Sequence, residues 1–381
     1  MAEGIGERVG GTSAEHQARD YVASVFRELR YRVALQPFAV PDKYLASLVV
    51  GGETWKAAAS RFGAVDVSVE GPVLDLGDGS VLPPDLTGVV VLLVDVAAGF
   101  GPVFEAVRRG AAAVLLGRIT SPGRSGAFSP VLTEVVPVPV VGLAQVHVER
   151  LRAAGVVSVV VGTRVLTGLT SYNVIAERPA TGRGDKVVMV TAHYDSVPGS
   201  PGANDDGSGT ALVLELARVL RYLPVARGLR FALWGSEEQG LLGSRHYVSQ
   251  LPAVELGRVA GVFQNDMVAT SHVGSSAYWL LSVDGGANVT TTAVAEAASR
   301  LGYRGQVRGP VARGSSDHVP FHEKGVAAAN FSWRGEAGPG ALEPLYHTPE
   351  DTIALNVSQA RLQISLELIG SAVYRVATGR G

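Results

Sequence analysis

His193, Asp205, the adjacent Glu237 and Glu238, Asp266 and His347 are the side chains best suited to chemistry, and they fall in five separate segments. Four of these read T-A-H-Y-D-S, G-A-N-D-D-G-S-G, W-G-S-E-E-Q-G and N-D-M; the fifth, L-Y-H-T-P-E-D-T, comes near the end. Imidazole nitrogen and carboxylate oxygen without thiolate suit zinc, with manganese or cobalt as substitutes, and exclude iron–sulfur chemistry. A Lewis acid lowers the pKa of a water toward about 7, and a free carboxylate can then take its proton. Neighbouring side chains diverge, so one of Glu237 and Glu238 can bind metal while the other faces that water. The bland alternative is a solvated acidic pair opening a helix, where the dipole favours negative charge. Asp195, two residues past His193, is spaced to hold the second nitrogen of the ring. Asp206 and Ser208 read first as helix caps, a reading that is weaker for Asp205, further from the helix start. Tyr346-His347 is ambiguous by itself, because Tyr-His-Thr-Pro also suits an ordinary turn. Together the segments read as a hydrolytic metal centre.

Such residues need a frame that brings them to one place. In open α/β sheets, ligands bind beyond the carboxyl ends of the strands. Lys186–Ala192 reads as a strand leading to His193, Leu229–Trp234 to Glu237 and Glu238, and Val259–Phe263 to Asp266. Asp205 lies in a Gly-rich loop before an amphipathic helix over Gly209–Leu223. Helices over Ala14–Leu29, Gln239–Gln250 and Arg361–Thr378, with strands over Tyr31–Pro37 and Val326–Phe331, extend the same pattern. From about Leu48 to Thr163 the chain changes character, becoming rich in Val, Gly and Pro with short strand-like runs such as Val65–Val69 and Val156–Val161. Only His147 of the eight histidines falls there, and no carboxylate cluster does. The expected fold is α/β, a mixed, mainly parallel sheet flanked by helices. It is formed by residues 1–47 and 164–381 and interrupted by a small β-rich inserted α/β domain at 48–163.

The bulk composition narrows the classes. At 381 residues the chain exceeds the usual single-core size, so two domains are expected. A net charge of −2 gives no reason to expect nucleic acid or an anionic membrane as a partner. The absence of cysteine excludes disulfides and thiol catalysis but says nothing of compartment. No segment reaches the roughly 18 apolar residues a membrane helix needs. The first residues lack an apolar signal core, so the expectation is a soluble protein, cytoplasmic unless a signal peptide was trimmed, in which case secreted or extracytoplasmic.

The motifs H-Y-D-S, G-A-N-D-D-x-S-G, E-E-x-G-L-x-G-S, D-M, S-D-H-x-P-F and Y-H-T-x-x-D-T, in this order from Val187 to Thr352, resemble the M28 family of co-catalytic zinc aminopeptidases. The insert, on L-T-G-V-V-V-L-L-V-D, the following helix, A-A-V-L-L-G and V-P-V-V-G-L, resembles a protease-associated (PA) domain. The resemblance implies two zinc ions bridged by Asp205, one also taking His193 and Asp266, the other Glu238 and His347. It implies Glu237 as general base, Tyr346 as hydrogen-bond donor to the developing oxyanion, Asp195 as the group orienting His193, and a cis Asp205–Asp206 peptide. Ser236 stands where many members have Gly or Ala. The implied activity is release of N-terminal residues from peptides with a free amino terminus. Carboxypeptidase action is the alternative, and it would need an arginine clamp from Arg304, Arg308 or Arg313. Glutaminyl cyclisation and a non-catalytic binding module are the remoter readings. Ser316-Asp317-His318 reads as pocket wall rather than a serine triad. His16, His147, His246, His272 and His322 read as structural. Side-chain preference would be set by loops such as Val273–Tyr278 and Leu301–Gly314; oligomeric state is not readable.

Overall fold

The computed structural model describes residues 1–119, 125–182 and 184–379. The chain begins with helix α1 (Ser13–Glu28), capped by Thr12, and an edge strand β1 (Arg32–Ala39). It then enters a closed barrel: β2 (Lys43–Val50), β3 (Glu53–Ala59), β4 (Ser68–Asp75), β5 (Val90–Val94), helix α2 (Gly101–Arg108), β6 (Ala113–Gly117), β7 (Val140–Gly142), helix α3 (Gln145–Ala154) and β8 (Ser158–Leu166). The barrel order is β2-β3-β7-β6-β5-β4-β8. Its interior holds Leu48, Leu92, Leu115, Val141, Val159 and Val161, while Val91, Leu93 and Val114 face outward onto Val103 and Ala106 of α2. Successive residues of a strand point to opposite sides, so a run of five apolar residues serves both surfaces. The barrel strands span residues 43 to 166; residues 120–124 within that span lie outside the described ones.

After the barrel come β9 (Thr170–Arg178), β10 (Val187–His193), α4 (Gly207–Leu220), β11 (Gly228–Trp234), α5 (Leu242–Gln250), α6 (Ala253–Arg258) and β12 (Val259–Asn265). Next are β13 (Ala277–Ser282), α7 (Val289–Leu301), β14 (Val307–Ala312), α8 (Val319–His322), β15 (Ala328–Arg334), α9 (Ile353–Asn356) and α10 (Gln359–Ala377). Eight strands form one sheet in the order β1-β9-β11-β10-β12-β15-β13-β14. The central four, β11, β10, β12 and β15, run parallel, and β9 and β13 flank them antiparallel. The expected mixed, mainly parallel sheet flanked by helices is thus what the chain forms.

Alternation in these strands builds two cores. Val188, Val190, Phe231, Phe263 and Phe331 face α1, α4, α7 and α10, whereas Met189, Ala232, Trp234 and Val262 face Tyr247 and Phe321. Phe231, Phe263 and Phe331 are fully buried, each stabilising the fold by roughly 1.5–3 kcal/mol. Such packing holds the carboxyl ends of four parallel strands in register.

Several boundaries differ from the sequence reading, each for a physical reason. Helix α4 starts at Gly207 rather than Gly209 because Asp206 caps it, accepting from the Gly209 N–H at 2.9 Å. The helix expected from Gln239 begins at Leu242. A single 3-10 turn, Glu237–Gln239, precedes it, and Gly240 and Leu241 take positive φ between them. Strand β15 runs on past Phe331 to Arg334, where Ser332 and Arg334 interrupt the apolar run but pairing with β13 continues. Parts of the expected loops Val273–Tyr278 and Leu301–Gly314 are strands β13 and β14.

Candidate metal centre

His193 is the last residue of β10, and the other segments converge on it. Its Nε2 lies 3.2 Å from Asp205 Oδ1, 3.9 Å from Glu237 Oε2 and 4.0 Å from Asp266 Oδ1. The other oxygen of Asp205, Oδ2, lies 3.1 Å from His347 Nε2, which is itself 3.0 Å from Glu238 Oε2. Two clusters result, His193–Asp205–Asp266 and Asp205–Glu238–His347, each with its ligand atoms within 4.8 Å of one another. They share Asp205, one oxygen turned to each.

A dense local network sets these positions. Asp195, fully buried, accepts from the N–H groups of Glu237 at 3.0 Å and Glu238 at 3.3 Å, fixing the turn that carries both glutamates. The Oδ1 that accepts from Glu237 lies 3.4 Å from His193 Nδ1, close enough for attraction although Nδ1 makes no hydrogen bond among the described residues. Asp206 accepts from the N–H groups of His193, Gly209 and Met267, tying strand β10, helix α4 and the end of β12 to one carboxylate. The Asp205–Asp206 peptide is cis. Ser236 adopts φ of 53°, a left-handed conformation that costs an ordinary side chain something and glycine nothing.

Three supporting residues, Asp351, Arg8 and Glu15, escaped the sequence reading because their partners lie far along the chain, and a fourth, Asp317, was read only as pocket wall. Asp351 accepts from the N–H groups of Asn204 and Asp205 at 2.9 and 3.1 Å, so the L-Y-H-T-P-E-D-T segment positions the shared aspartate as well as supplying His347. Arg8, fully buried, donates to the carbonyls of Tyr194, Gly6, Pro201 and Gly202 and braces the loop after His193. Glu15 accepts from Ser236 N–H at 3.1 Å and from Gly11 N–H and Ser171 Oγ, both at 2.6 Å. Burial, aided by Asp195, pushes its carboxyl up to about 8. Asp317 accepts from Ser244 Oγ, and burial pushes it up to about 8. Local signals existed for Asp351 and Asp317, each within a quoted motif.

The electrostatics are those of carboxylates crowded together in a buried site. Burial drives Glu238 up to about 7, with Asp205 adding to it against His347. Burial likewise raises Glu237, and Asp317, Glu238 and Asp266 add to it against His193. Burial alone would lower His347, but Glu238 and Asp205 override it and hold the ring at about 10. Among the described residues His347 Nε2 and Glu238 Oε1 are buried without a hydrogen bond of proper geometry, although Nε2 sits close to two carboxylates. Cations placed between these groups would favour the carboxylates, take the lone pairs of the imidazoles and relieve the like-charge repulsion. The donor set, two imidazoles and three carboxylates, fits zinc.

Around this cluster, Tyr346 stacks on His347 with ring centroids 3.7 Å apart, and burial raises its phenol so that it stays a donor. The serine-triad reading finds no geometry: His318 Nε2 contacts the Arg313 carbonyl at 2.9 Å, while Ser316 Oγ accepts from Gln264. Of the arginines considered for a clamp, Arg304 is exposed and Arg308 pairs with Glu336 at 3.1 Å. His147 stacks on Trp55 inside the barrel and His246 on Phe38, as structural histidines do.

Residues 173–373 match the model of Peptidase family M28. Among curated proteins, the chain is 36% identical to Aminopeptidase YwaD of Bacillus subtilis (strain 168), covering 98% of this chain and 82% of that protein. Among solved structures, BSAP, a zinc aminopeptidase from Bacillus subtilis, is 35% identical with a TM-score of 0.74, over 100% of this chain and 93% of that one. An aminopeptidase from Aneurinibacillus sp. strain AM-1 is 30% identical with a TM-score of 0.62, over 97% and 90%.

Proposed function

The chain belongs to peptidase family M28 and is a metal-dependent aminopeptidase, and from that premise we propose that it works with two zinc ions and Glu237 as general base. His193, Asp205 and Asp266 would hold one ion; Asp205, Glu238 and His347 the other. The observation that carries this reading is the division of Asp205, whose two oxygens lie 3.2 Å from His193 and 3.1 Å from His347. When bound, the ions supply Lewis acidity toward the scissile carbonyl and the attacking water.

The remaining work falls to side chains of this chain. Glu237 is left out of both ligand clusters. It would take the proton of the attacking water and pass it to the leaving amine. Tyr346, kept neutral by burial, would donate to the oxygen of the carbonyl as charge develops there. Asp195 positions both glutamates through their N–H groups and stands beside His193. The acidic surroundings favour a substrate that enters with its free ammonium group, so a peptide with an unblocked N-terminus is the proposed substrate. The barrel, on its sequence pattern, is read as a PA-like domain at 48–163 inserted into a catalytic unit of 1–47 and 164–381.

A panel of aminoacyl-p-nitroanilides, with and without chelator, tests the reading. Cleavage that is lost on chelation and returns with zinc is expected; chelator-insensitive cleavage, or turnover of N-acetylated substrates as fast as free ones, would contradict it.

A further inference from the structure

The central parallel strands β10, β11 and β12 end on, or lead directly into, His193, the two glutamates and Asp266. The fourth, β15, ends on Arg334. This residue is 3% exposed, yet its Nε and Nη1 have no hydrogen-bond partner among the described residues. A second guanidinium, Arg313, is near enough to act on its charge, and the Arg313 Nε is also buried without a partner. Burial lowers the affinity of Arg334 for its proton and Arg313 lowers it further, while Asp266, Tyr346 and Asp205 oppose. These partners place Arg334 within the electrostatic reach of the shared aspartate and the phenol assigned to the carbonyl.

Among the other described residues no buried guanidinium nitrogen is left idle. Arg8 is satisfied by four carbonyls, and Arg230, 8% exposed, donates to Glu177 and Tyr247. A buried cation without a partner is costly, and a second cation close enough to act on its charge adds repulsion. Asp266 attracts the Arg334 charge but gives its Nε and Nη1 no hydrogen bond, and it also belongs to the cluster with His193 and Asp205. An anion placed against both would satisfy the idle donors and cancel the repulsion. Guanidinium matches a carboxylate in two-pronged fashion.

We propose that Arg334 and Arg313 form a subsite for a substrate carboxylate, so that the enzyme favours peptides carrying one close to the scissile bond. The inference rests on the aminopeptidase reading of the neighbouring site. The carboxylate has two sources, the acidic side chain of the N-terminal residue or the C-terminus of a dipeptide.

Two substrate pairs separate these sources: glutamyl- against glutaminyl-p-nitroanilide, and Leu-Gly against Leu-Gly amide. Each pair differs in one carboxylate and little else. In the wild-type holoenzyme the charged member of one pair is expected to have the higher kcat/KM by about tenfold to a hundredfold, the usual worth of a charge-assisted hydrogen bond. Arg334→Gln and Arg313→Gln are each expected to bring that ratio toward one. Arg313 is less buried, so Arg313→Gln carries the test if Arg334→Gln does not fold. A preference for the acidic side chain identifies the first source, and one for the free dipeptide the second. Turnover of all four substrates with no charge preference, or a preference that survives both substitutions, would overturn the subsite and leave the aminopeptidase reading standing. No turnover of any of them would overturn both.

Discussion

The barrel and the sheet both contain buried parallel strands with apolar runs, β5 and β6 in the one and β10, β11 and β12 in the other, but they differ at their ends. The barrel closes around Leu48, Leu92, Leu115 and Val161, with no carboxylate cluster among its described residues. The sheet stays open, and its carboxyl edge gathers His193, Asp205, Glu237, Asp266 and Arg334, all at most 8% exposed. The difference teaches where stability and function trade against each other. Apolar closure stabilises the barrel outright, whereas the edge of the sheet buries charge that is favourable only when cations complete it. Changes at the edge should therefore act on turnover and metal dependence, and changes in the barrel on stability.

The largest effect is expected from Glu237→Gln. Turnover should fall by roughly 10²–10⁴-fold, the contribution of a general base, with metal content and unfolding temperature close to wild type. Retained turnover would remove Glu237 from its role. Chelation should come next, lowering the thermal stability of the sheet unit by several kcal/mol, on the order expected from ligand linkage. Hydrogen exchange checks where the loss falls: amides near residues 193, 237–238 and 266 should open, while those of β5 and β6 should not. Barrel amides opening equally would dissolve the contrast between the two regions.

In the barrel the signs reverse. Leu115 is fully buried, and Leu115→Ala should cost about 2–5 kcal/mol by transfer and cavity terms, with kcat per folded molecule unchanged. His147 offers the smallest and most specific effect. Burial lowers its ring to about 4, with Arg150 adding to it. A folded-state value below the ordinary 6.5 means the neutral ring stabilises the fold above about 6.5, and that contribution is lost as pH falls toward 4. The barrel should lose roughly 2–3 kcal/mol across that window. His147→Phe, which keeps a ring against Trp55 but has no proton to gain, should flatten the slope; an unaltered slope in chemical denaturation would exclude His147 as its source.

Much of this was readable from the chain because its signals are local. An apolar run ending in a polar residue announces a parallel strand and its carboxyl end, which is how His193, Glu237 and Asp266 could be placed on one edge. Asp206 was recognisable as a cap from its spacing to Gly209. What remained hidden depends on pairs distant in sequence. Arg8 meets the Tyr194 carbonyl across 186 positions and Glu15 meets Ser236 across 221, and neither has a neighbour that hints at it. Strands β13 and β14 were missed because Ala277–Ser282 and Val307–Ala312 are short and bordered by glycine and serine. Arg334 was passed over because a charged residue at the end of Ala328–Arg334 looks like the strand has already finished.

The central claim is that Asp205 is shared between two cations. Anomalous scattering at the zinc edge from crystals of the zinc-loaded protein, with metal content per chain measured on the same sample, addresses it directly. Two peaks flanking the Asp205 carboxylate, one beside His193 and Asp266 and one beside Glu238 and His347, with Glu237 touching neither, are the predicted result. A single peak, or metal bound away from Asp205, would contradict the account.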